Sequence, residues 1–174
     1  MDETAEDITA TQETTRSRAG RYLTFNLGSE SYGISVLKVR EIIQMQKVTR
    51  VPCVPEYVKG VINLRGKVIP VVDLRLKFDF GETEVSKHTC IIVVAIVRSD
   101  GSDALTGLIV DAVEEVLHIE AGQIENTPGF SDSSISMEYI DGIAKIRDTV
   151  AMLLDIDQAV AASVLERIVE DNQP

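Results

Sequence analysis

The segment Lys59–Leu74 reads Lys-Gly-Val-Ile-Asn-Leu-Arg-Gly-Lys-Val-Ile-Pro-Val-Val-Asp-Leu. Two β-branched runs flank Arg65-Gly66, and such a pair between strands reads as a tight hairpin. Val68, Ile69, Val71 and Val72 make the returning strand too apolar to face water on both sides. Pro70 has no N–H to give to a ladder, so this strand is expected at an edge or a bulge. The stretch holds no nucleophile, no histidine and no phosphate-cradling glycine loop. It reads as a rigid scaffold presenting one arginine, which points to binding rather than catalysis.

With 174 residues the chain suffices for one ordinary domain, or for two small barrels sharing a core. Its longest apolar run, Cys90–Val97, has eight residues, far short of the roughly 20 that span a bilayer. No basic stretch followed by an apolar one opens the chain, so no secretory signal is read and a cytoplasmic location is expected. Cys53 and Cys90 lie in apolar surroundings and are expected to be buried, reduced thiols. A net charge of −11 repels nucleic acid and anionic lipid over most of the surface. Protein partners are the class that remains.

Residues 1–19 form an acidic tail too poor in apolar side chains to offset its ordering entropy, and are expected to be disordered. From Arg21 the pattern has period two, with Leu23, Phe25 and Leu27 on one face. Ser35 is placed to cap a short helical turn in which Val36, Val39 and Ile43 share a face. The β-branched content of that segment equally suits a strand. Val51–Pro55 is expected to be extended, because each proline biases its predecessor away from helix. Residues 77–87 read as a surface loop, and Thr89–Val97 as a strand apolar on both faces between two packed layers. Further strands are expected at 105–110, 113–119, 139–146 and 150–154, the last two a hairpin turning at Arg147-Asp148. Residues 127–134 read as a loop. From Ile156 the apolar positions Ile156, Val160, Val164 and Ile168 take helical spacing. About ten short strands with regular turns mean a sandwich or barrels. No internal sequence repeat is visible.

Several of these stretches together resemble the CheW family, the scaffold proteins of bacterial chemotaxis. The early motif is Tyr32-Gly33-Ile34 followed by Val39-Arg40-Glu41-Ile42. The most specific is Gly60–Gly66 through Pro70, Asp73-Leu74 and Lys77-Phe78. Gly107–Asp111 with Val116, and Leu153-Leu154-Asp155, fit the second half. The resemblance implies a mainly β fold of two five-stranded SH3-like barrels packed on a shared apolar core. With the residue patterns it divides the chain into the tail 1–19, a double-barrel domain 20–157, and a C-terminal helix and polar stub 158–174. It further implies a non-catalytic adaptor, without cofactor or metal and monomeric when free. Such a protein couples the cytoplasmic hairpin tip of methyl-accepting chemoreceptors to the histidine kinase CheA, binding that kinase's regulatory domain and joining receptor arrays. Carried over by position, Val39, Glu41, Gly60 and Arg65 lie where the family meets the receptor, in or beside a groove between the barrels. No residues are assigned to the kinase-facing surface. The alternatives are a CheW-like paralogue of another chemosensory pathway and, remotely, a small barrel enzyme.

An arginine suits such a site because its planar fork holds carboxylate or carbonyl oxygens on a partner helix. Glu41 is placed to pair with Arg65 across the groove, and an exposed pair of this kind adds little to stability. Gly60 and Gly66 have a purely structural explanation in turn geometry or close backbone approach. His88 and His118 stand apart from any cysteine or serine motif, and the spacing of Asp73, Asp111, Asp155 and Asp157 is not that of a calcium loop. Nucleic-acid surfaces interleave basic and aromatic residues, whereas aromatics are only 5% here.

Overall fold

The computed structural model describes residues 19–82, 84–126 and 139–160. Eleven strands run in the order β1 (Gly20–Leu27), β2 (Glu30–Ser35), β3 (Val39–Gln44), β4 (Val58–Leu64), β5 (Lys67–Asp73), β6 (Cys90–Val97), β7 (Asp103–Val110), β8 (Ala112–Ile119), β9 (Ile124–Glu125), β10 (Ile140–Ile146) and β11 (Thr149–Leu154). Two one-turn helices, α1 (Leu74–Lys77) and α2 (Ile156–Ala159), follow β5 and β11. The strands form a six-stranded sheet, β8-β1-β2-β11-β10-β9, and a five-stranded sheet, β3-β6-β7-β5-β4. The fold is mainly β with two SH3-like subdomains. One subdomain has the expected five strands; the other gains a sixth, the two-residue β9.

Strand β6 explains why the two subdomains cannot part. Ile92, Val94 and Ile96 join a core that also takes Leu23, Phe25, Leu27 and Ile34 from β1 and β2. The alternate residues Ile91 and Val93 point the other way, into a separate core with Ile62, Ile69, Val71 and Ile109. Period-two geometry thus splits one strand between two apolar clusters, so it has no polar face. A third cluster of Tyr22, Ile119, Ala144 and Leu153 fills the six-stranded subdomain. Each subdomain has its own interior, and both share the central one.

The chain does not build the subdomains in succession. Strands β1 and β2 pair with β8 and β11, while β3, β4 and β5 complete the sheet of β6 and β7. Each sheet therefore draws on both halves of the chain. The halves also repeat each other structurally. The Asp73 amide donates to the Tyr57 carbonyl at 2.8 Å, and the Asp155 amide to the Tyr139 carbonyl at 2.9 Å. Register breaks occur between Val58 and Gly60 and, at the same spacing, between Ile140 and Gly142. Arg65 and Arg147 both take positive φ, 51° and 55°, in the two hairpin turns. Asp73 and Asp155 each cap the following helix, accepting from Arg75 N and Gln158 N. The repeat is one of backbone and a few polar positions; interchangeable apolar residues hide it in the sequence.

Several expectations are corrected. Of the two alternatives for the strand of Pro70, β5 is not an edge, since it lies between β4 and β7, while its pairing with β4 does carry a register break, between Val58 and Gly60. Both backbone groups of Val61, the residue opposite Pro70, are engaged by Thr49 at 2.9 and 2.8 Å. The Pro70 nitrogen therefore faces away from β4, and pairing with β7 begins only at Val71, so no ladder bond is lost. Val51–Pro55 is not extended throughout: Cys53 turns with φ 60°. Its thiol is exposed and that of Cys90 only half-buried, not both buried. Burial still pushes the Cys90 thiol above its ordinary range. The helical turn capped by Ser35 lasts three residues, Val36–Lys38, and the chain is strand from Val39. Helix α2 begins at Ile156 as expected, but Val160 has extended angles. The rest of the expected helix, the tail to residue 18 and the loop at 127–134 lie outside the described residues.

The signature hairpin closes as expected. Arg65 and Gly66 have φ of 51° and 87°, the mirror-image turn that matches strand twist, and Asn63 Oδ1 accepts from Gly66 N at 2.7 Å. Gly60 is constrained differently. It has φ 142°, and a Cβ there would stand 1.9 Å from the Thr49 carbonyl oxygen. Around Gly66 the space is open. Gly66→Ala is expected to lower stability by about 1 kcal/mol, and Gly60→Ala by more than about 2 kcal/mol because a backbone must move. Chemical denaturation of the two variants measures the difference; equal losses would contradict the close approach at Gly60.

Candidate functional site

Strands β3 and β4 are the outer strands of the five-stranded sheet, yet the sheet curls until their ends meet. Thr49, beyond β3, bridges Val61 in β4 through two backbone hydrogen bonds. At the hairpin apex the Arg65 guanidinium holds the Glu41 carboxylate with both terminal nitrogens, Nη1 donating to Oε2 at 3.2 Å and Nη2 to Oε1. The pairing expected from sequence is present, and it lies on a rim. The Arg65 side chain is 73% exposed and that of Glu41 29%.

Val39 stands two residues before Glu41, half-buried against the shared core. A register break between them lets Val39 lie opposite Val94, of the central core, and Glu41 opposite Val93, of the subdomain's own core. Ile42, the next residue, is 45% exposed. Glu41 and Arg65 are thus brought together on the rim, while Val39, on the same strand, packs against the central core. Gly60 is not on the rim: it is buried beneath Thr49 and Arg50 and shapes the seam from below.

The Arg65 hydrogen bonds, with a lesser contribution from its charge, hold the Glu41 carboxyl below the usual carboxylate range, against the opposing effect of burial. The same bonds raise the guanidinium. Water reaches both groups, so a carboxylate or carbonyl arriving on a partner can exchange with Glu41 for the arginine fork at little cost.

The two subdomains are tied to each other by ring contacts and ion pairs. Phe25, Tyr32, Phe78 and Tyr139 form a chain of ring contacts at centroid distances of 6.0–6.1 Å. Lys77 Nζ lies 4.3 Å from the Tyr57 ring centroid and 5.3 Å from that of Tyr139. Arg75 Nη1 donates to Asp111 Oδ2 at 3.1 Å, and the same oxygen accepts from Gly28 N at 2.5 Å. Lys38 Nζ meets Asp157 Oδ2 at 2.6 Å. The four aspartates noted in the sequence thus cap helices or tie the subdomains together. His88 and His118 are both exposed. Among the described residues no three His, Cys, Asp or Glu side chains gather as a metal site.

Sequence reading missed Lys47, Arg50, Lys59 and Lys67, which the backbone brings near one seam: Lys47 and Arg50 stand either side of the bridge residue Thr49, Lys59 is two residues before its partner Val61, and Lys67 opens β5 after the Arg65-Gly66 turn. Each looks like an ordinary surface cation alone; only the Thr49–Val61 bridge gathers them. It also missed α1, although Asp73 before Leu74-Arg75-Leu76-Lys77 is a legible N-cap signal.

The fold is thus a mainly β protein of two SH3-like subdomains, with an exposed ion pair joining an outer strand to the signature hairpin. Among the described residues no helix is long and apolar enough to cross a membrane. A CheW-like domain family model matches residues 21–164. The chain is 36% identical over 141 residues to Chemotaxis protein CheW of Klebsiella aerogenes, covering 81% of each chain. It is 38% identical over 122 residues to that of Bacillus subtilis, covering 69% of this chain and 75% of the relative. The crystal structure of the scaffolding protein TtCheW from Thermoanaerobacter tengcongensis superposes with a TM-score of 0.72 at 35% identity, covering 84% of this chain and 97% of that one. The chain belongs to the CheW family of chemotaxis scaffold proteins.

Because Arg65 lowers the Glu41 pKa, the pair is intact above the ordinary carboxylate range and is lost as pH falls through the lowered value. Carboxyl-resolved NMR titration should place Glu41 below a typical glutamate, and Arg65→Ala should return it to the normal range. A Glu41 titration unchanged by Arg65→Ala would contradict the pairing.

Proposed function

We propose that this protein is a non-catalytic adaptor that couples chemoreceptors to the histidine kinase CheA in chemotaxis arrays. It works in the cytoplasm, recruited to membrane-bound receptors, and binds the receptor's cytoplasmic hairpin tip with the rim of Glu41 and Arg65 and with Val39 on the same strand. The kinase's regulatory domain takes a separate surface. The observation that carries the reading is the Glu41–Arg65 pair joining β3 to the β4–β5 turn. It presents a preorganised arginine fork held by the strand that also carries half-buried Val39 and exposed Ile42, and protein interfaces combine such apolar and charged groups. Gly60 contributes indirectly, since any side chain there would displace the Thr49–Arg50 backbone that bounds the rim.

Heteronuclear NMR titration with a receptor cytoplasmic fragment, and separately with the kinase regulatory domain, is expected to give two distinct shift patches, the first around Val39, Glu41 and Arg65. The absence of shifts with either partner at several hundred micromolar would overturn the adaptor reading. Arg65→Glu places two carboxylates together on an exposed rim. It should stay folded by circular dichroism and bind the receptor fragment about thirtyfold more weakly or worse. Unaltered affinity would remove Arg65 from the site.

A further inference from the structure

The structural repeat poses a specificity problem. The six-stranded subdomain has its own turn arginine, Arg147, at the position of Arg65. The Thr49–Val61 bridge corresponds to the Glu125–Ile143 pair. Glu115 and Val116 of β8 follow a register break, as Glu41 and Ile42 of β3 do. Val116 and Ile42 are both exposed, 52% and 45%. In backbone terms the protein has two similar rims.

Their charge differs. Residues 36–110, which build the five-stranded subdomain, hold eleven Lys and Arg against eight Asp and Glu. The described residues of the six-stranded subdomain hold three against ten. The difference is concentrated at the seam. Lys59 corresponds to Asp141, Lys67 to Thr149, and bridge residue Thr49 to Glu125. Lys47, Arg50 and Lys67 are exposed and form no ion pair among the described residues. Lys59 pairs with Glu82, whose carboxyl is held below its ordinary range chiefly by that lysine, with Arg50 a lesser influence.

We propose that the cationic seam of Lys47, Arg50, Lys59 and Lys67 selects which of the two similar rims is used, by steering an acidic face of the partner onto Arg65 and away from Arg147. This rests on the receptor-binding reading above and adds the partner's chemistry: a protein surface bearing carboxylates. An anionic membrane is disfavoured because the acidic six-stranded subdomain is locked to the same body. Steering by exposed charge acts on encounter, so it belongs to the association rate and is screened by salt.

The test is association kinetics with a receptor cytoplasmic fragment between low and moderately high salt. The wild-type on-rate should fall on the order of tenfold across that range. The double variant Lys47→Glu/Lys67→Glu should slow association by a comparable factor while leaving the off-rate nearly unchanged. Lys145→Glu/Arg147→Glu alters net charge equally on the other rim and should leave the on-rate within about twofold of wild type. Melting curves confirm that both variants fold. A salt-independent on-rate, or equal slowing by the two variants, overturns the steering proposal while Arg65→Glu still reports on the rim. Failure of wild type to bind the fragment at any salt overturns the receptor reading itself. Binding to anionic vesicles through the same lysines, as tight as to the fragment, overturns the assignment to a protein surface.

Discussion

Strand β6 has no wet face, and the rest of the molecule is arranged around that fact. Its odd and even residues serve two different cores, so removing it would empty the five-stranded subdomain and expose the apolar side of β1 and β2 together. A buried aliphatic side chain contributes roughly 1.5–3 kcal/mol, and six consecutive residues, Ile91–Ile96, are buried. The rim of Glu41 and Arg65 depends on this strand at one remove. Strand β3, which carries Val39 and Glu41, has β6 as its one ladder partner among the described strands.

Interlocking of the two subdomains adds a second constraint. The six-stranded sheet joins strands from the two ends of the described chain, and the whole five-stranded subdomain, residues 36–110, is inserted between them. Long-range pairings of this kind carry a loop-closure cost that local hairpins do not. The result is a body in which the rim is positioned by backbone ladders, aromatic contacts and the Arg75–Asp111 tie. A rim so held can present Arg65 with little ordering left to do on binding, which is the general advantage of preorganisation.

Much of this was legible in the sequence. The hairpin at Arg65-Gly66, the dry strand read at 89–97 and the late hairpin at Arg147-Asp148 all follow from local alternation and turn chemistry. Errors fell where a non-local bond decided the outcome. Pro70 reads as an edge residue until Thr49 is seen to occupy the groups of Val61 opposite it. Cys53 reads as buried until the chain is seen to turn there with positive φ. The lysines of the seam lie apart in sequence and meet only once the sheet curls.

By itself, then, the sequence determined the strands, their wet and dry faces and the hairpin arginine, because period and turn residues are local properties. Its motifs also pointed to the family. Only the tertiary structure decided how those strands are shared between two sheets, that Gly60 supports the rim from beneath, and that one of two similar rims is cationic. Each of these depends on which distant backbone lies alongside, and residue type alone encodes that weakly.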